Sequence, residues 1–106
     1  MIIYTDYFIP ARFGGINYGP ISFIRTKYKD DAGLAAHENT HQKQFWKNPL
    51  MGLFYVFSKK SRFKYEAEAY KVQLTYSSDK LNLFASFLVE KYNLGITLAE
   101  ATAALQ

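Results

Sequence analysis

The stretch from Asp31 to Pro49, which reads DAGLAAHENTHQKQFWKNP, predicts the helix around which the rest of the chain is arranged. Asp30 or Asp31 is a suitable first residue, because a short acidic side chain accepts hydrogen bonds from the free backbone N–H groups of a first helical turn. The helix is expected to end at Asn48, because the residue before a proline avoids the helical conformation. The sequence therefore predicts one continuous helix over this stretch.

Both histidines of the chain, His37 and His41, lie on this helix. Residues four apart share a helical face, so the two imidazoles can bind one Zn²⁺ ion at about 2.0–2.1 Å each. Glu38 lies roughly 100° around the helix from His37, where it cannot join the pair as a ligand but can reach a water that the ion activates. A carboxylate in this place is the general base of a zinc hydrolase. The alternative is a chance pair of surface histidines.

A third ligand to zinc has to be a carboxylate, because the chain has no cysteine and no further histidine. On the predicted third helix, Glu68 shares a face with Lys64 and Lys71, which is typical of a solvent-exposed face. Glu66 points nearly the opposite way, beside an apolar stripe, where a carboxylate without a cation is costly. We therefore favour Glu66 over Glu68, with an ion pair between Glu66 and Arg62 as the alternative without a metal. The remaining candidates are Asp79, Glu90 and Glu100.

The segments on either side of the first helix predict short strands before it and more helices after it. Residues 4–9 are β-rich, residues 13–20 are turn-rich, and residues 21–28 form a strand with two mixed faces, as in a partly exposed or edge strand. Helices are expected at 50–57, 62–77 and 79–92, with a basic connector at 58–61 and a last helix opened by a capping box at Thr97 and Glu100. The apolar segment 50–57 is expected in the core, with a membrane surface as the alternative because Lys59, Lys60, Arg62 and Lys64 follow it. The predicted class is α+β, with short N-terminal strands followed by about four to five helices.

Composition narrows the classes of protein to which the chain can belong. Its 106 residues are the size of one domain, and its net charge of +4 is spread along the sequence rather than concentrated in a basic stripe. No apolar run approaches the roughly 20 residues that cross a bilayer, and the N-terminus lacks the features of a secretory signal. We therefore expect one domain over residues 1–106, no nucleic-acid partner, no transmembrane segment and a cytoplasmic location. The absence of cysteine excludes disulfides and thiolate metal sites.

The combined pattern resembles the gluzincin class of zinc metallopeptidases. His37-Glu38-x-x-His41 is followed by Glu66-Ala67-Glu68-Ala69-Tyr70, and the similarity covers roughly residues 21–73. The resemblance implies a small zincin-like domain in which His37, His41 and Glu66 bind zinc and Glu38 is the base. It also implies that the strand before the metal helix borders the cleft and pairs with an extended substrate peptide. Tyr70 departs from the family, which commonly has an aspartate there that hydrogen-bonds a ligating histidine.

These observations predict a zinc metallopeptidase that cleaves amide bonds of a peptide or protein substrate, with Glu38 removing the proton of the attacking water. The alternative is a zinc-binding structural or interaction module with weak or no catalysis, in which Tyr70 marks the loss of activity. Tyr65 or Tyr70 is a candidate donor to a developing oxyanion, although both are expected to be core or rim aromatics. Gln42 and Gln44 are expected on the helix surface.

Overall fold

The structure, a computed structural model, describes all residues from Met1 to Gln106 and has the predicted α+β class. Its strands and helices are β1 (Ile2–Tyr4), β2 (Gly15–Tyr18), β3 (Ile21–Ile24), α1 (Ala32–Lys47), α2 (Met51–Phe57), α3 (Lys59–Leu74), α4 (Leu81–Lys91) and α5 (Leu98–Leu105). Short 3₁₀ turns at Thr26–Tyr28 and Ser78–Lys80 precede α1 and α4. None of the helices combines the length and the apolar character needed to cross a membrane.

The three strands form one sheet in the order β1-β3-β2, with β1 parallel and β2 antiparallel to β3. The strand predicted at residues 21–28 is present but ends at Ile24, and of the two alternatives it is partly exposed and not an edge strand, because β3 is central in the sheet. The strand stops there because the chain turns into the 3₁₀ helix Thr26–Tyr28, while the side chain of Arg25 donates hydrogen bonds to the backbone carbonyls of Ile9, Pro10 and Phe13. The mixed faces are explained by Ser22 and Ile24, which are both fully buried on the side that packs on α1.

Two further strand expectations are also corrected. The N-terminal strand is Ile2–Tyr4, which pairs with β3, and not residues 4–9. Residues 13–20 contain β2 and are not only a turn, because the connection between Tyr18 and Ile21 needs no more than Gly19 and Pro20. Gly19 has a φ of +72°, a left-handed conformation that glycine adopts at little cost. The glycines and proline of residues 13–20 therefore predicted the hairpin loop correctly, but the strand before the loop was not predicted.

Helix α1 begins and ends where its sequence indicates. The side chain of Asp31 accepts a hydrogen bond from the backbone N–H of Leu34 at 3.0 Å, so Asp31 and not Asp30 is the N-cap. The helix ends at Lys47, and Asn48 is the C-cap before the proline. The predicted capping box at Thr97 and Glu100 is confirmed at the start of α5.

The junction between α2 and α3 differs from the expected connector at 58–61. Ser58 is at once the C-cap of α2 and the N-cap of α3, and its hydroxyl accepts a hydrogen bond from the backbone N–H of Ser61. Helix α3 therefore starts at Lys59, three residues earlier than predicted, and no linker separates the two helices. The expectation that residues 50–57 lie in the core is wrong, because only Met51 of this segment is buried.

The apolar core and the polar interior lie in different parts of the fold. Helices α3, α4 and α5 enclose the core, which includes Tyr70, Phe84, Leu88 and Leu105. Helix α1 packs against α3 on one side and against the sheet on the other. Its buried side chains are almost all polar: His37, Glu38, Thr40, His41, Gln42 and Gln44. Burying polar groups costs free energy unless they are paired. The buried polar side chains of α1 therefore indicate a functional site.

Candidate metal centre

The two histidines of α1 meet Glu66 of α3 in the buried space between these helices. Oε1 of Glu66 lies 3.2 Å from Nε2 of His37 and 3.0 Å from Nε2 of His41. All three side chains are almost completely buried, and together they form a group that can hold a metal ion. Glu68, the alternative on the same helix, is exposed on another face, and the remaining acidic candidates do not join the group.

The distances from the Glu66 oxygen to the two imidazole nitrogens are close to those between ligands of a small divalent ion. Ligand atoms about 2.0–2.1 Å from a tetrahedral zinc ion lie roughly 3.4 Å from one another. The two nitrogen–oxygen distances of 3.0 and 3.2 Å are close to that value. Arg62, the alternative partner of Glu66, instead donates to the backbone carbonyls of Tyr55, Val56 and Asn93. Neither Lys nor Arg therefore pairs with the buried carboxylate.

The orientation of His41 is fixed from behind by Gln44, one turn further along α1. Nδ1 of His41 lies 2.8 Å from Oε1 of Gln44, whose Nε2 donates to the backbone carbonyl of Tyr65 at 3.0 Å. Because the amide nitrogen is engaged in that bond, the amide oxygen faces the imidazole and accepts a hydrogen bond from Nδ1. In the neutral imidazole this leaves the lone pair on Nε2, which points towards Glu66.

His37 has a matching support from α3. Its Nδ1 lies 2.9 Å from Oε1 of Gln73, seven residues after Glu66 on the same helix. Tyr70 is not a hydrogen-bond partner of His37, since its ring packs edge-on against the His37 ring and its hydroxyl bonds that of Tyr92. Both histidines are thus oriented by the neutral amides of glutamines. In other metal sites a carboxylate is a common partner for the same ring nitrogen.

The second oxygen of Glu66 has its own partner. Oε2 accepts a hydrogen bond of 2.5 Å from the hydroxyl of Tyr55, on the inner face of α2. Burial and the nearby Glu66 carboxylate raise the pKa of Tyr55, so its hydroxyl keeps its proton and remains a donor. The bond leaves Oε1 as the Glu66 oxygen that faces the histidines. Glu66 is therefore arranged to offer a single oxygen atom to a ligand in the centre.

The close contacts also shift the pKa values of the group. Burial alone would lower the pKa of His41, but the adjacent Glu66 carboxylate outweighs burial and raises this pKa to about 9. Burial would likewise raise the pKa of Glu66, but the two imidazoles hold the pKa of its carboxyl well below the usual range. Without a metal ion, both shifts favour a protonated His41 paired with an ionised Glu66.

Glu38 lies beside the group but takes no part in it. Its side chain is buried, burial raises its pKa, and its Oε2 has no hydrogen-bond partner. An unpaired buried carboxylate oxygen costs free energy, so its retention calls for a partner that the chain does not supply. Glu38 lies next to β2: a Cβ built on Gly15 would lie 3.5 Å from Oε1 of Glu38, which is ordinary contact distance.

A cleft of about 830 Å³ opens onto His37, Glu38, His41 and Glu66. One of its walls is β2, which is an edge strand, and not β3, as the resemblance implied. Gly14 accepts a hydrogen bond from Arg25 across the β2–β3 pair, and bonding residues alternate along antiparallel strands. Gly15 and Asn17 therefore direct their backbone N–H and C=O groups away from β3, towards the open edge.

The tyrosines nearest the cleft are not those expected from the sequence. Tyr65 and Tyr70 do not line the cleft, whereas Tyr55 and Tyr92 do. The expectation for Gln42 and Gln44 is also wrong, because both are buried. Gln42 does not contact the metal group, and its Nε2 instead donates to Ser22 of β3 and to the backbone carbonyl of Met1.

Comparisons of the chain with protein-family models, with curated proteins and with solved structures found no match. The functional argument therefore depends on the side chains of this cleft and on their geometry.

Three contributors to the site were missed by reasoning from sequence: Tyr55, Gln44 and Gln73. Tyr55 is hidden in an apolar run, and only the rotation of α2 shows that it faces inwards. A usable signal existed for the glutamines, because Gln44 is three residues after His41 and Gln73 is seven residues after Glu66, which are same-face spacings on a helix.

Proposed function

We propose that this protein is a zinc-dependent hydrolase, most specifically a peptidase, in which His37, His41 and Glu66 bind the metal and Glu38 is the general base. The observation that carries the proposal is the pairing of two unlike carboxylates at one buried site. Oε1 of Glu66 faces Nε2 of both histidines and Oε2 accepts a hydrogen bond from Tyr55, whereas Glu38 is buried without a partner for its Oε2. One carboxylate is thereby suited to bind a cation, and the other is left free to accept a proton.

Zinc supplies Lewis acidity at such a centre, by polarising a carbonyl group and lowering the pKa of water. Gln44 and Gln73 keep the proton of each imidazole on Nδ1, so that Nε2 presents a lone pair. Glu38 accepts the proton of the attacking water and then delivers it to the leaving amine, which balances the hydrolysis of an amide bond.

An extended peptide is the substrate class that the cleft favours. The outward N–H and C=O groups of Gly15 and Asn17 can add one more strand to the sheet, as edge strands do with extended chains. Gly15 and Glu38 line the same cleft, so a peptide paired with β2 would run alongside the proposed base. This arrangement supports a peptide, rather than a small molecule, as the substrate, and an amide bond as the bond that is hydrolysed.

Hydrolysis is tested with a broad peptide library and an unfolded protein, with cleavage detected by mass spectrometry. The zinc-loaded wild type is expected to cleave, and Glu38→Gln is expected to retain zinc and lose about 10²–10⁴ of the rate. Glu90→Gln is the control, because Glu90 is an exposed carboxylate on α4. Cleavage by Glu38→Gln at the wild-type rate would overturn the mechanism. Stoichiometric zinc without any cleavage by the wild type would favour the structural module.

The ligand assignment has a matched pair of variants on α3. Elemental analysis of purified Glu66→Gln is expected to show loss of zinc, because the buried oxygen facing both histidines becomes a weaker neutral ligand. Glu68→Gln is expected to retain one zinc per chain, because Glu68 is exposed on a different face. Loss of zinc from Glu68→Gln with full retention in Glu66→Gln would reverse the assignment.

A further inference from the structure

Helix α2 has two different faces, although its sequence is apolar throughout. Its inner face presents Met51, which is buried, and Tyr55, which bonds Glu66. Its outer face carries an exposed apolar stripe at the helical spacing of three and four residues, formed by Leu50, Leu53, Phe54 and Phe57. Phe57 is the extreme case, with 83 % of its surface exposed. Nothing else in the chain covers this stripe.

The sequence on both sides of the stripe is strongly basic. Between residues 39 and 65 the chain has six basic side chains and no acidic one: Lys43, Lys47, Lys59, Lys60, Arg62 and Lys64. All five lysines of this set are exposed, and Lys59 and Lys60 follow directly on the end of α2. Trp46, at the end of α1, is also exposed, and tryptophan is favoured at membrane interfaces.

We propose that the outer face of α2 docks on the surface of a bilayer that contains anionic phospholipids. An exposed apolar stripe next to lysines is the pattern of a helix that lies in the plane of an interface, with its apolar side chains among the acyl chains and its cations at the headgroups. Helix α2 has only seven residues, so it suits insertion parallel to the surface and not across the membrane.

Charge favours a bilayer over a second copy of this chain. Two copies joined through the stripe would bring the lysines of both copies together, and like charges across an interface cost free energy. An anionic bilayer neutralises the same lysines while it buries the stripe. Since Met51 and Tyr55 of α2 also line the cleft, docking places the membrane beside the cleft entrance.

The proposal is tested by flotation of the full chain with vesicles, without substrate, so that the result is independent of any hydrolase activity. Vesicles contain either phosphatidylcholine alone or equal parts of phosphatidylcholine and phosphatidylglycerol. We expect binding to the mixed vesicles that weakens as salt is raised, and little binding to phosphatidylcholine alone. Absence of binding to the mixed vesicles, or equal binding to both kinds, would overturn the proposal.

Two pairs of exposed substitutions separate the contributions of the stripe and of the lysines. Leu53→Ser with Phe57→Ser is expected to weaken binding about tenfold per side chain, whereas the control Leu83→Ser, an exposed leucine on α4, has no effect. Lys59→Gln with Lys60→Gln is expected to weaken binding about thirtyfold, at about fivefold for each basic group near the surface. Lys71→Gln with Lys80→Gln, which are exposed outside the basic segment, is the control.

Sedimentation equilibrium of the same variants tests whether a second copy of this chain covers the stripe instead. We expect the wild type to be a monomer in the absence of vesicles. A wild-type dimer that Leu53→Ser with Phe57→Ser converts to a monomer, together with no vesicle binding, would assign the stripe to a second copy and overturn the proposal.

Discussion

The amide oxygen of Gln44 lies 2.8 Å from Nδ1 of His41, and the amide nitrogen of the same side chain donates to the backbone of Tyr65 on α3. One glutamine thus sets the tautomer of a histidine on its own helix and ties that helix to the one that carries Glu66. Gln44 performs both tasks without adding charge to the buried centre.

Gln44→Leu is expected to weaken zinc binding about 10–100-fold, because the imidazole loses the acceptor that fixes its orientation. The measurement is competition for zinc against a chromophoric chelator. Gln44→Glu keeps an acceptor at the same distance and is expected to retain most of the affinity. Equal affinities for wild type and Gln44→Leu would show that Gln44 packs against the site without orienting it.

Tyr55→Phe removes the hydroxyl that bonds Oε2 of Glu66 and leaves the ring in place. Zinc affinity is expected to fall about tenfold, since a hydrogen bond to a charged group contributes about 1.5–3 kcal/mol and part of this is recovered by rearrangement. Tyr65→Phe is the control, because the Tyr65 side chain does not bond the metal group. If both variants bind zinc alike, the Tyr55 hydroxyl does not position the carboxylate.

The metal-free protein is expected to lose stability as the pH rises from about 6.5 to about 9. The pKa of His41 is raised from 6.5 to about 9 in the folded state, so its contribution is complete below 6.5 and is lost as the pH passes through 9. The pKa of Glu66 is depressed, so its contribution is present above 4.5 and is lost as the pH falls.

Thermal denaturation with a chelator at pH 6 and pH 9 measures this dependence, with the higher melting temperature expected at pH 6. Zinc competes with the same proton, so its affinity is expected to rise with pH and the stabilisation by zinc to be larger at pH 9. A chelated protein that is equally stable at both pH values would contradict the charge state assigned to His41 and Glu66.

Asp31→Ala is expected to lower the free energy of unfolding by about 1 kcal/mol, because the first turn of α1 loses its side-chain cap. A fall in the melting temperature of about 4–8 °C follows for a domain of this size. Asp30→Ala is the matched control, since Asp30 is exposed and makes no capping bond. Equal effects of the two substitutions would argue against Asp31 as the N-cap.

The parts of this fold that sequence predicts are those governed by local chemistry. Asp31, Pro49 and the Thr97–Glu100 box set helix ends through contacts within a few residues, and the structure confirms all three. The spacing of His37 and His41 is also a local property of one helix. The position of Glu66 beside these histidines agrees with the geometry expected for the third helix, because Glu66 and Glu68 point to different sides.

The parts that the sequence could not predict depend on which helices and strands pack against each other. The run from Leu50 to Phe57 indicates burial by composition, but the short helix contacts its neighbours through one face only. The mixed faces of β3 indicate exposure, but Ser22 is satisfied inside the fold by Gln42 of α1. In both cases the deciding contact comes from a segment distant in the chain.

Because Ser58 caps both α2 and α3, the rotation of one helix relative to the other is fixed. With no linker to absorb a change in length, one residue inserted there would turn the start of α3 by about 100° relative to α2 and separate Tyr55 from Glu66. Length variation in this protein is therefore expected in the loops at residues 5–14 and 92–97, whereas the junction at Ser58 admits neither insertion nor deletion.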